Sequence, residues 1–396
     1  MKDFWSEEVE KEKEKNNKIN KKKLVIVLIL GVILLFFIII LIIYNTSPEF
    51  HSWMDKNILN KEVMQNSATT IEIEENSKVF AYNKNIAVLN KNKLKIYNNF
   101  GSKESELDVD IANPIFNSSN RYVAIAENGG RKIYCLEDNK IIWQAEVEGT
   151  ISQIHINKNG YVAVVVTGTS YKTVVAMFDN KGTALFRTYL SATRLVDLSI
   201  SNDNRFLALA EVDTSGTIIQ SNIKIVSVEK AQSDSTNSME KTYNGQPNAL
   251  ITNIKYQDND KLVCMYDNSI RIIADDKDEL LVDYANEKIN FSSIELNNSV
   301  INVKEQSSGL FTADSIVNII NVSNKDVKTY KVDSVTKDVR TYENIIALNL
   351  GSEIEFINTD GWLVKRYISK QEITNMVFSN SVAGIIYRDR VELINL

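Results

Sequence analysis

The side chains that most often do chemistry are few in this chain and lie far apart. There are two histidines, His51 and His155. A zinc site wants three or four converging His, Cys or carboxylate ligands. A histidine base wants a nucleophile on one side and an orienting partner on the other. Neither can be drawn: His51 closely follows a long apolar run, and His155 sits in the alternating stretch 153–156. Cys135 and Cys264 lie in apolar runs and read as small buried hydrophobes. Ser-x-x-Lys occurs at Ser221/Lys224, Ser227/Lys230 and Ser238/Lys241. Three matches within a Ser- and Lys-rich stretch, with no Lys-Thr-Gly beside them, read as coincidence. Asp275, Asp276, Asp278 and Glu279 crowd one turn. They lack the spacing of a calcium loop and read as a solvated hairpin tip. No Gly-rich phosphate loop occurs. The sequence therefore assigns no catalytic residue, no cofactor-binding residue and no metal ligand, and no cofactor is expected.

What must position any site is set first by residues 24–44, LVIVLILGVILLFFIIILIIY, with no charge and no Pro. About 20 apolar residues cross a bilayer as a helix, which satisfies its own backbone groups. The run is longer than a signal-peptide core and exits into Asn45-Thr46-Ser47-Pro48 without a small-residue cleavage pattern. It reads as an uncleaved anchor. Lys21, Lys22 and Lys23 abut it on one side, and the first basic residue on the other is Lys56. The excess of lysine places the N-terminus in the cytoplasm and the rest of the chain outside. The expected division is a charged cytoplasmic tail at 1–23, a membrane span at 24–44, a stalk at 45–69 and a folded domain at 70–396. Glu7/Lys11 and Glu14/Lys18 are four apart, so the tail is compatible with a solvated helix. Phe50, Trp53, Met54, Ile58, Leu59, Val63 and Met64 recur at helical spacing, which predicts an amphipathic stalk helix over 51–66.

Beyond the stalk the period changes, and one apolar run recurs: IAVL at 86–89, YVAIA at 122–126, YVAVVV at 161–166, FLALA at 206–210, LVCMY at 262–266, VINV at 300–303, IIALNL at 345–350 and VAGII at 382–386. The mean spacing of about 42 residues suits a four-stranded propeller blade. A second apolar run follows each first one, and a polar alternating strand closes most units, such as IIWQAEV at 141–147 and WLVKRYI at 362–368. Asn159-Gly160, Lys181-Gly182 and Asp360-Gly361 supply hairpin turns. Inner strands, sandwiched between blades, are expected to be the apolar ones, and the outer edge to alternate. The last unit ends at Leu396 after its second run, while TIEIE at 70–74 precedes the first unit as a spare strand. If that strand completes the last blade the ring closes without an open edge. The count is then eight blades, with seven as the alternative because the first unit's inner strand, 79–82, is weak. A two-sheet sandwich would not produce equal units. The fourth unit departs from the period, with an enlarged hairpin at 211–222 and a polar loop at 231–240. On this scheme Cys135 and Cys264 lie three units apart and do not pair.

The unit GYVAVVV…VVAMFDNKGTALFRTYL, 160–190, resembles the repeat of pyrroloquinoline-quinone-type (PQQ-like) propellers. The early helix and the propeller at the C-terminus resemble a Firmicutes family of single-pass, membrane-anchored propeller proteins. The resemblance implies an all-β propeller fold and an extracytoplasmic location, and carries no catalytic residue. Quinone enzymes stack their cofactor on Trp; here blades hold only Trp143 and Trp362, both read as packing residues on outer strands. No quinone site is inferred, and the WD-repeat signature is absent.

The formal charge of −6 resides in the part beyond the tail, since the tail itself holds eight Lys against six acidic residues. That balance excludes nucleic acid as a partner of the outer domain. Repeats without a reactive constellation point to a non-catalytic binding or scaffolding module that engages an extracytoplasmic protein or envelope polymer. The alternatives are an enzyme whose carboxylates or metal meet only in the folded channel, and a sensor that signals through the tail.

Overall fold

The computed structural model describes residues 21–47, 50, 53–55, 58–59, 61–216, 218–245, 249–307, 309, 313–379 and 381–396. The chain divides into two compact units, 1–60 and 61–396. In the first, helix α1 spans Lys21–Thr46, about 39 Å at 1.5 Å per residue. Its unbroken apolar run leaves no polar face, and it is long and apolar enough to cross a membrane. Asn45 and Thr46 close it by donating their side chains to the carbonyls of Leu41 and Ile42. The tail up to residue 20, with Trp5, lies outside the described residues, as do His51 and Lys56 of the expected stalk.

The expected stalk helix is corrected in part. Trp53–Asp55 is helical, but Glu62–Met64 is a strand and Gln65–Ser67 a 3-10 turn. The strand lies parallel to Leu363–Ile368, the outer strand of the seventh blade, pairing Glu62 with Arg366 and Met64 with Ile368. The reason is an available sheet edge, which offers the backbone of Glu62-Val63-Met64 hydrogen-bond partners. Arg366 fixes the addition, holding Glu62 at 2.5 Å and the Glu353 carboxylate on the neighbouring strand.

Among the described residues the second unit is an eight-bladed propeller, each blade an antiparallel four-stranded sheet. The blade strands follow one another from the axis outward. Each first apolar run of the sequence is a blade's second strand and each second run its third, as at Tyr122–Glu127 and Lys132–Glu137. These middle strands are buried on both faces. The expectation that the inner strands sandwiched between blades are the apolar ones holds for these two, and each blade adds an innermost strand ahead of them. Pro114–Ser119, Phe291–Ser293 and Asp338–Tyr342 are innermost and almost wholly half-buried. Innermost side chains alternate between apolar ones that enter a seam and polar ones that bond the next blade.

Eight hydrophobic clusters fill the eight seams between blades. One lies between blades 1 and 2, around Phe80, Ile96, Ile125 and Leu136; another closes the ring between blades 8 and 1, with Val382 and Leu393 against Ile86 and Val88. Each fully buried aliphatic side chain contributes about 1.5–3 kcal/mol. The spare strand does complete the last blade: Thr69–Glu72 pairs antiparallel with Arg390–Asn395, and Ile71 enters the closing seam. This settles eight blades over seven.

The turns follow local chemistry. Gly182 (φ +83°) follows Lys181, and a Cβ there would stand 2.8 Å from the Trp143 ring. Trp143, buried and stacked on Phe178 at 5.7 Å, packs as expected. Trp362 differs, lying one residue before its outer strand and remaining 41% exposed. The polar loop at 231–240 is also partly ordered. Helix α2, Val228–Ser233, is capped by Ser227, and Asp234 caps the following 3-10 turn.

Candidate functional site

The innermost strands of the eight blades are Lys78–Tyr82, Pro114–Ser119, Thr150–Ile156, Arg194–Ile200, Ile251–Tyr256, Phe291–Ser293, Asp338–Tyr342 and Met376–Phe378. All run the same way along the axis, so their C-terminal ends and the hairpins after them gather at one end, the mouth face. There they enclose a cavity of about 770 Å³ to which every blade contributes.

The ring is tied together by side chains that bond the next blade's innermost backbone. Asn117 Oδ1 accepts the Ile156 N–H at 2.9 Å, and Gln153 Nε2 donates to the Val196 carbonyl at 3.0 Å. Asp197 Oδ2 accepts the Ile254 N–H and Ser199 Oγ the Tyr256 N–H, both at 2.8 Å. Ser293 and Thr341 share a hydroxyl bond of 2.5 Å. These bonds satisfy polar groups that the tight ring removes from water and join each blade to the next.

Charge in the mouth is balanced. Lys158, Lys255 and Arg340 face Asp258, Glu295 and Glu343. Lys255 pairs with Glu295 at 3.3 Å and Arg340 with Asp338 at 3.0 Å. Phe116, 42% exposed, lies with one ring face on buried Phe80, centroids 4.4 Å apart. The Tyr342 phenol meets Ser118 across the axis, and burial pushes it up to about 12, so it is a neutral hydrogen-bonding group at physiological pH.

Behind the mouth, His155 Nε2 stands 3.5 Å from Asp197 Oδ1. Burial disfavours charge on both. It lowers the imidazole from 6.5 to about 4, and the nearby Glu295 opposes that only in part. It raises the Asp197 carboxyl from 3.8 to about 7 against the N–H bonds of Ile254 and Leu198. His155, for which the sequence suggests no orienting partner, thus meets Asp197 from the next blade. Across the described residues no three His, Cys, Asp or Glu side chains group to hold a metal ion.

The other residues weighed on sequence have structural roles. Ser227 caps helix α2, Lys224 pairs with Glu211 at 2.7 Å, and Lys241 pairs with Asp276. Asp275 and Asp276 form the hairpin tip in left-handed backbone, and Asp278 holds Arg271 at 2.8 Å. Cys135 and Cys264 are free and buried, in blades 2 and 5; burial pushes the Cys135 thiol up to about 12 and raises Cys264 as well. The enlarged hairpin at 211–222 is two lengthened strands, Phe206–Asp213 and Gln220–Ser227, on the face opposite the mouth. Phe116, Asn120 and Lys158, which shape the mouth, were missed. Their signal was the short polar alternation ahead of each apolar run, such as ITNIKY at 251–256.

Similar folds appear among solved structures. The C-terminal WD40 domain of Sif2 is 11% identical with a TM-score of 0.55, over 83% of this chain and 99% of that one. Dihydro-heme d1 dehydrogenase NirN in complex with DHE is 8% identical with a TM-score of 0.52, over 83% and 76%. BamB from Moraxella catarrhalis is 12% identical with a TM-score of 0.48, over 83% and 98%. At these identities the likeness is one of fold. No curated protein sequence matches the chain. Residues 56–396 match the family of unknown function DUF5711, and the chain belongs to that family.

Proposed function

We propose that the protein is a single-pass, membrane-anchored propeller that serves outside the cytoplasm as a non-catalytic binding or scaffolding module. Its divisions are the tail at 1–23, the span at 24–44, a linking segment at 45–69 and the propeller domain from 70, with the strand at Glu62–Met64 docked on its edge. The lysines before the span support a cytoplasmic N-terminus. The partner is an envelope protein or polymer, engaged through the mouth face.

The observation that carries this reading is the mouth itself: one cavity lined by residues of all eight blades, with balanced charge. A ring presents many loops at once on a scaffold that does not deform. The test places a photo-crosslinking side chain at Lys158 on the mouth face, or at Ser215 on the opposite face, in the full chain in its native membrane. A reproducible adduct from position 158, lost on adding Phe116→Ala, is expected. Adducts from neither position, or from position 215 alone, would sink the assignment.

A further inference from the structure

Three depressions on the mouth face join end to end. The channel mouth shares Asn120 and Lys158 with a second hollow of about 540 Å³, which continues over Arg121, Asn159 and Asn180. That hollow shares Tyr161 and Asn204 with a third of about 770 Å³, which runs past Phe206 to helix α2. Together they form a path from the axis outward across blades 2, 3 and 4. Each segment has the capacity of an ordinary ligand site.

The chemistry of the path is specific. Its charges are mostly neutralised in place: Arg121 pairs with Glu137, Arg205 with Asp203, and Lys230 with Glu240 at 2.9 Å. A polyanion would find little unpaired positive charge. The floor consists of hairpin turns whose backbone groups are already used, as in Gly160 N–H to Asn157 O and Asn204 N–H to Ser201 O, both 3.0 Å. A peptide would therefore find no strand edge to extend and no row of apolar pockets. What the path does offer is amides and aromatic rings. Among the described residues, Asn120, Asn180 and Lys158 make no side-chain hydrogen bond. An amide donates and accepts at once, which suits a hydroxyl that does the same. The free face of Phe116, braced on Phe80, suits the C–H face of a sugar ring.

We propose that this path binds a linear, weakly charged polysaccharide, with a sugar ring stacked on Phe116 and hydroxyls held by Asn120, Asn180 and Lys158. The proposal rests on the binding-module reading and names its ligand class. The experiment is equilibrium binding of fluorescein-labelled chitohexaose and cellohexaose to the full chain in detergent micelles. At least one is expected to bind at micromolar to millimolar concentration. Phe116→Ala should weaken it by about tenfold or more, about 1.4 kcal/mol, and Phe116→Tyr should retain it. Because Phe116→Ala also removes packing, Asn120→Gly and Lys158→Ala are tested as well. Asn120 has φ +55°, so glycine keeps its backbone unstrained while removing the amide. Each is expected to weaken binding several-fold, while Leu280→Ala on the outer edge of blade 5 leaves it unchanged. No binding of either hexasaccharide at millimolar concentration would overturn the proposal. So would binding indifferent to all three mouth-face variants, or a hexapeptide pool that binds with the same variant sensitivity while the sugars do not. In each case an adduct from position 158 in native membranes would leave the binding module standing and remove only the sugar.

Discussion

His155 and Asp197 are shifted from their ordinary titration chiefly by burial, in opposite directions. The folded imidazole sits near 4, below its ordinary 6.5, so the unfolded chain takes up that proton first. Its contribution to stability is full above 6.5 and is lost as pH falls toward 4. The folded Asp197 carboxyl sits near 7, above its ordinary 3.8, so the folded chain keeps that proton longer. Its contribution is full below about 4 and is lost as pH rises toward 7. The two slopes oppose each other over the same window, and each is worth at most on the order of 3–4 kcal/mol. In His155→Gln, the thermal midpoint should fall as pH rises from 4 to 7. In Asp197→Asn it should rise with pH from 4 to 6.5, on top of a uniform loss from the amide's single acceptor. Glu295, which also acts on both groups, is unchanged in both. Thermal melts across this range check it, and two variants with the unaltered protein's slope would refute it.

Among the elements, the closing strand carries more than its four residues suggest. Ile71 is 4% exposed and packs where blade 8 meets blade 1, joining chain segments more than 300 residues apart. Ile71→Ala should cost about 2–5 kcal/mol, as core truncations do, because the cavity opens in the seam that closes the ring. Leu280→Ala, exposed on an outer strand, should stay within about 0.5 kcal/mol. Denaturant unfolding of the two compares them directly, and equal losses would show that the seam does not hold the ring. This element was legible in the sequence because TIEIE stood ahead of the first unit while the last unit lacked an outer strand. Glu62–Met64 was not, because its apolar spacing satisfies a helix and a short edge strand equally. A sheet edge elsewhere in the chain decided between them.

For the whole molecule, the proposed topology has a direct readout. Cys135 and Cys264 are buried and should not react with a bulky maleimide in the folded protein. A cysteine introduced at exposed Ser215 should label in intact cells with a membrane-impermeant reagent. One at Ser6 should label only after the cells are opened. The reverse pattern would invert the orientation and move the propeller to the cytoplasm.

The sequence by itself determined an apolar segment of bilayer length, the repeating unit, the order of its buried strands and the source of the closing strand, while the paired closing strand decided eight units over seven. These are legible because hydrophobic period and turn chemistry act over a few residues and then repeat. The tertiary structure decided what faces the axis. Most innermost strands are mixed in polarity, so each alone reads as a connection rather than as a wall. Only ring closure brings Phe116, Asn120, Lys158 and Tyr342 from blades far apart in sequence to one mouth. The burial created there is the largest cause that moves His155 and Asp197 from their ordinary titration, because desolvation belongs to the assembled ring and to no single strand.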